Sequence, residues 1–330
     1  AAEIENLWVF ALDCLCHQFH LISAEVLHSQ DSLVEAFGEE MPELLQGKYY
    51  TSLACLLHTW RDRAKDIWDA WHRLFPTSPW SKTSRKVPPQ PISGRWGRAS
   101  ACEDYILGGI RKAPKGSVPK GIKEDDPRLL ARVDPWHGSH WPRVKEKALE
   151  FGAALAEAIA TGGEASKQQA GGKPPQAQGV GAASSANPLD ELAEEHKEYL
   201  LQRRGKWCRI AVAAARCLHF FRIVLIARII RSRLDRLYFA VMKRVGAKGK
   251  DPLSLARLTW GKAAQIRDSF NELTDMQVFA PILEDVPPAQ QGRLRHEIRT
   301  LVERLAAAYE RRVMARLEAD PCRLLWFAHC

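Results

Sequence analysis

Apolar positions recur at intervals of three and four residues over much of the chain, and this spacing predicts helices. From Tyr49 to Phe75 the residues Leu53, Leu56, Leu57, Trp60, Ala64, Ile67, Trp68, Trp71 and Leu74 share one face, with Arg61, Arg63, Asp66, Asp69 and Arg73 between them. That is an amphipathic helix. Leu7 to Phe37 is denser in apolar residues, and its pattern allows a short buried strand before the chain turns helical. Periodicity alone does not separate the two options. Lys145 to Ala160 is again helical. Later helix starts are marked by Asn187 as a cap with Pro188 at the first helical position, and by Asp251 with Pro252. The first leads into Leu189, Leu192, His196, Tyr199 and Leu200, and the second into Leu255, Leu258, Ala263, Ile266, Phe270 and Leu273. Beyond Pro287 and Pro288, a stripe of Leu294, Ile298, Leu301, Leu305 and Tyr309 forms another helix, which Pro321 should end.

Two stretches interrupt this pattern. Ten of the nineteen prolines fall between Pro76 and Pro142, so an irregular, basic connector is expected there. Residues 162–188 are rich in Gly, Ala, Ser and Gln, with Val180 their only large apolar residue, and read as a flexible linker. The expected organisation is a core-forming piece at 1–100, a connector with a short helix at 101–161, a linker at 162–188 and a helical bundle at 189–330. The fold class is mainly α. No repeat of fixed period appears, which disfavours a solenoid.

With 330 residues and 46% hydrophobic content, the chain has the material for a buried core, which excludes a chain disordered throughout, a collagen and a membrane channel. Its eight cysteines, at 14, 16, 55, 102, 208, 217, 322 and 330, contain no C-x-x-C pair and lack the dense spacing of a disulfide scaffold. Reduced thiols in the nucleus or cytoplasm are expected, and secretion is not. Glu3 and Glu5 stand where a signal peptide would carry basic residues. The opening at Ala1 and the closing apolar run Leu324 to Phe327 suggest a piece of a longer protein.

Charge changes the picture more. The formal balance is +9, yet residues 203–250 alone carry fourteen Lys/Arg against the single acid Asp235. The positive charge is therefore local. A transmembrane span fails because Arg209, Arg216, Arg222 and Arg228 interrupt every window of the necessary length. At about 100° per residue the arginines precess around the axis, and only Arg209 and Arg216 clearly share a side, which disfavours an interfacial membrane helix. What remains is a helix packed in a bundle, its guanidinium groups reaching either acids or phosphates. In the phosphate case the candidate DNA-binding residues are Arg203, Arg204, Lys206, Arg209, Arg216, Arg222, Arg228, Arg231, Arg233 and Arg236. In the other, the segment is a solvated or internally ion-paired helix.

Phosphate-binding loops, dinucleotide turns, H-E-x-x-H helices and nucleophile elbows are absent from the sequence. His137 and His140 in WHGSHW lack a cysteine or acid at ligand spacing, so a loop pinned by Trp136 and Trp141 is preferred over zinc. Two small features remain: Cys14-Leu15-Cys16-His17 followed by QFHLI, and Arg95-Trp96 within SGRW. Their order, with a long helical segment after them, resembles hAT-type DNA transposases. The resemblance implies an N-terminal part belonging to an incomplete ribonuclease H-like α/β core, with residues 189–330 as part of a helical insertion. It also implies that His17 lies beside the scissile phosphate and that Trp96 stacks on an extrahelical base with Arg95 beside it. An active parent would need divalent metal, Mg, held by three carboxylates. Those acids have no identifiable context here, so this piece is expected to be inactive and without a cofactor of its own. DNA is the expected partner, and a homo-oligomer is compatible with the pattern. The rival reading is a helical protein-protein interaction or scaffold module with no nucleic-acid role.

Overall fold

The Tyr49 to Phe75 pattern folds as two helices in the computed structural model, which describes residues 15–27, 31–80, 88–89, 98–108, 136–169, 194–245 and 252–319. Helix α3 (Tyr49–Asp62) stops at Arg63, whose backbone leaves the helical region at φ −121° and ψ 24°, and α4 (Ala64–Leu74) resumes directly. Packing explains the break. In one straight helix Trp60 and Trp71 would stand about 16 Å apart along the axis. The bend brings their ring centroids to 6.4 Å, and both lie against Phe151, Trp60 stacking on it at 4.2 Å.

Before this pair come α1 (Leu15–Leu27), α2 (Asp31–Ala36) and two short 3-10 turns, Gly38–Glu40 and Glu43–Leu45. The proline-rich connector contains α5 (Arg98–Leu107), longer than an irregular segment would give. A 3-10 turn, Gly138–His140, leads into α6 (Trp141–Gln169), whose backbone stays helical past residue 162, where the linker was expected to begin. The rest of that linker lies outside the described residues. Then come α7 (Glu194–Arg216), α8 (Leu218–Val245), α9 (Pro252–Thr274), a 3-10 turn (Gln277–Phe279), α10 (Ala280–Glu284), α11 (Pro288–Tyr309), a π-helical turn (Glu310–Met314) and α12 (Ala315–Ala319).

The described residues contain helices and turns and no strand, so the chain is mainly α. Residues 1–14, where a buried strand could open the chain, lie outside them. Proline places two later boundaries as anticipated, while Asn187, Pro188 and Pro321 lie outside the described residues. Pro252 opens α9, Pro288 opens α11, and Leu294, Ile298, Leu301, Leu305 and Tyr309 are all buried.

Helix α8 is the axis of the fold. It packs against α5, α6, α9 and α1, and every residue from His219 to Asp235 is buried. Around it α3 lies on α7, α4 on α6, and α11 on α1 and α9. Helices α6 and α7 cross at Gly152, where a Cβ would stand only 2.6 Å from the Ala215 carbonyl oxygen. The π-helical turn sets Arg311 and Arg312 on one carboxylate, Glu25 of α1, tying the two ends of the described chain together.

Candidate functional site

The basic segment is bent. Helix α7 ends at Arg216, Cys217 is non-helical, and α8 leaves at 79° to its predecessor. This elbow divides the candidate cations into two groups with opposite surroundings. On α7, Lys206, Arg209 and Arg216 are exposed, and none has an ion pair among the described residues. On α8, Arg222, Arg228, Arg231 and Arg233 are buried, with side chains only 2–5% exposed. The side chains of Arg203, Arg204 and Arg236 lie outside the described residues.

Each buried arginine meets a carboxylate. Arg222 donates through Nη2 to the Asp285 carboxylate and to its backbone carbonyl, both at 2.6 Å. Arg228 holds Asp104 through Nε at 2.6 Å and Asp235, two turns further along the same face of α8, through Nη1 at 2.8 Å. Arg231 grips Glu103 with Nε and Nη2 at 3.1 and 3.2 Å, and donates to the hydroxyls of Ser23 and Tyr50. Arg233 reaches Glu272 of α9 at 3.2 Å. As contacts for a DNA phosphate, Arg222, Arg228, Arg231 and Arg233 are therefore corrected: the acids they need come from α5, α8, α9 and the end of α10. Lys206, Arg209 and Arg216 keep the geometry for an external anion.

Electrostatics follow from burial. Desolvation opposes the Arg231 cation, but Glu103 more than offsets it, so Arg231 holds its proton above the ordinary guanidinium value. Burial pushes the Glu103 carboxyl up, while Arg231 and Arg228 pull it back. Desolvation also acts on Asp285, yet hydrogen bonds from Lys145, Trp141 and Arg222 bring it down to about 2.

The network extends beyond the arginines. Trp136 donates to Asp104 at 2.6 Å and Trp141 to Asp285 at 2.8 Å, so both indoles of WHGSHW anchor it to the acids that α8 uses. The two histidines between them cap their own 3-10 turn: His137 Nδ1 accepts from the Ser139 amide, and the His137 amide donates to His140 Nδ1. Lys147 is enclosed by Trp60, Trp80 and Tyr105, its ammonium 5.4, 5.6 and 5.9 Å from their centroids, and donates to the carbonyls of Tyr105 and Ile106 at the end of α5. It caps the C-terminal carbonyls of α5, while burial, with Arg143 adding to it, brings the amine down to about 7.

His17 lies on the first turn of α1, while Arg95 and Trp96 lie outside the described residues. Glu103, Asp104 and Asp235 gather around Arg228 and Arg231, so guanidinium groups occupy the lone pairs that a metal ion would need. These three do not fit the metal-holding triad that the resemblance implies. Among the described residues, no group of three His, Cys, Asp or Glu side chains is arranged for a metal ion, and no single helix is long and apolar enough to cross a membrane.

Sequence reading missed Glu103, Asp104, Asp285 and Glu40 as partners. Their signal was faint: paired acids inside the apolar run Cys102 to Leu107, and one acid before Val286 and two prolines. No family model, curated protein or solved structure matches the chain.

Proposed function

We propose that this chain is a helical scaffold module, one that holds neighbouring elements in fixed relation and does not grip a duplex with its basic helix. One observation carries this reading: the arginines of α8 are sealed inside the bundle on carboxylates of other elements. A buried ion pair adds little net stability over a packed apolar pair, and here its role is read as fixing which elements dock and in what register. In a hAT-like transposase the module would stand where that family carries its helical insertion. The ribonuclease H-like core, the roles of His17, Arg95 and Trp96, and the Mg of the parent belong to that larger proposal. The order of the two short motifs ahead of a helical region supports it.

A second reading rests on the exposed faces of α7. Lys206, Arg209 and Arg216 are exposed without an ion pair among the described residues, so duplex DNA contact, where it occurs, uses this arm of the elbow and not the buried arginines of α8. Salt dependence separates the two sizes of interface. Each neutralised phosphate adds about 0.9 to the slope of log affinity against log salt. Binding of the 330-residue chain to a duplex, measured by anisotropy over a salt series, should give a slope of no more than about 5, falling by about 3 in Lys206→Ala/Arg209→Ala/Arg216→Ala. A slope near 9 that falls only to about 6 in the triple variant would restore the wider basic helix as the DNA contact and overturn the scaffold reading.

A further inference from the structure

His219 sits at the inside of the elbow, between a permanent cation and a carboxylate. Its Nε2 lies 2.6 Å from Glu40 Oε2, and its Nδ1 lies 2.6 Å from Arg222 Nη1. A guanidinium can only donate, so Nδ1 must be the bare acceptor nitrogen and the proton must sit on Nε2, directed at Glu40. The neutral tautomer is thus fixed by its neighbours. Phe37 stacks on the imidazole at 4.1 Å, so the ring also carries the contact between the Gly38–Glu40 turn and α8. His219, Glu40 and Arg222 line a cleft of about 580 Å³ with Pro42, Arg216 and Pro287.

We propose that His219 is an acid-sensitive latch, in which a second proton on Nδ1 turns the acceptor facing Arg222 into a donor and drives the ring outward with Glu40. The charged groups around it determine the direction. Arg222 on its own helix repels the imidazolium, and it cannot swing away because Asp285 and its carbonyl hold the other guanidinium nitrogen. Asp285, at the end of α10, is engaged by Lys145 and Trp141 as well as Arg222. Glu40 of the 3-10 turn attracts the imidazolium, and its side chain, 44% exposed against 10% for His219, lies toward solvent. The Cys217 thiol on the same turn of chain faces Met41. Protonation therefore moves His219 out of the core, displaces Phe37 and frees the 34–41 segment from α8, widening the cleft.

Burial holds the His219 imidazole below its ordinary value, against the pull of Glu40 and with Arg222 adding to the depression. A histidine depressed in the folded state contributes stability that is complete above about pH 6.5 and lost as pH falls through the folded value. The latch is closed at neutral pH and opens in acid.

Hydrogen exchange at the amides of Phe37, Glu40 and Met41, which bond within this turn, tests the latch on the full chain. In wild type their protection factors should fall by up to about tenfold per pH unit from about pH 6.5 down to the folded His219 titration, while those of α3 stay constant. His219→Gln, whose amide donates to Glu40 without titrating, should remove the pH dependence. Glu40→Gln keeps an acceptor but deletes the attracting charge, and should move the transition to lower pH. Equal acid loss in wild type and His219→Gln would overturn the proposal. If His219→Gln does not fold, the imidazole resonance decides: titration below about 6.5 that Glu40→Gln lowers further upholds the latch, and titration at or above that value refutes it.

Discussion

Arg231 is a full charge sealed where only 2% of its side chain meets solvent, and its partner Glu103 is wholly buried. Removing one partner strands the other in a medium that solvates it poorly. Arg231→Met is expected to cost about 3–5 kcal/mol in denaturant unfolding, whereas a double change that also replaces Glu103 with leucine should recover most of that loss. Additive single effects would mean that the pair is not coupled. Asp285 carries a different signature, because its carboxylate is held down to about 2, below the value of about 3.9 for an unfolded aspartate. A depressed carboxyl contributes stability present above the unfolded value and lost as pH falls through the folded one. Between about pH 4 and pH 2 the wild-type melting temperature should drop more steeply than that of Asp285→Asn, which should be the less stable protein at pH 7. Parallel acid limbs would show that Asp285 is not the titrating group.

At the scale of elements, close approach is as decisive as charge. Gly152 lets α6 lie against the turn of α7 that carries Ala215, and a methyl group there meets backbone, which cannot rotate away. Gly152→Ala should destabilise the chain by about 1–3 kcal/mol despite alanine's better helix propensity, and a gain in thermal stability would contradict the crossing described. Much of the helical layout was legible because apolar spacing and proline are local signals. Pro252 and Pro288 start their helices, and the stripe from Leu294 to Tyr309 is buried as its period requires. The breaks at Arg63 and Cys217 were not legible. Neither site has glycine or proline, and each bend is imposed by what the flanking helices pack against: Phe151 in the first case and the turn bearing Phe37 in the second.

For the whole molecule, the sequence displayed the concentration of cations but not their destination. Arginines on every side of α8 left open whether they meet phosphates, acids or solvent. The partners, however, lie 124 and 128 residues away in the case of Asp104 and Glu103, and such pairings follow from tertiary packing that no window on the chain contains. The split between buried and exposed cations also rescales expectation for nucleic acid: four of the ten candidate contacts are buried on acids, three are exposed, and the side chains of Arg203, Arg204 and Arg236 lie outside the described residues. Helix α8 has a further consequence for synthesis. Asp285 is made 63 residues after Arg222, so at about 5–20 residues per second the ribosome presents an apolar, cationic helix for roughly 3–12 seconds before its anion exists. During that interval the nascent chain is a natural client for a chaperone that shields sticky segments, and messages truncated before codon 285 should yield aggregates in place of a shorter folded protein.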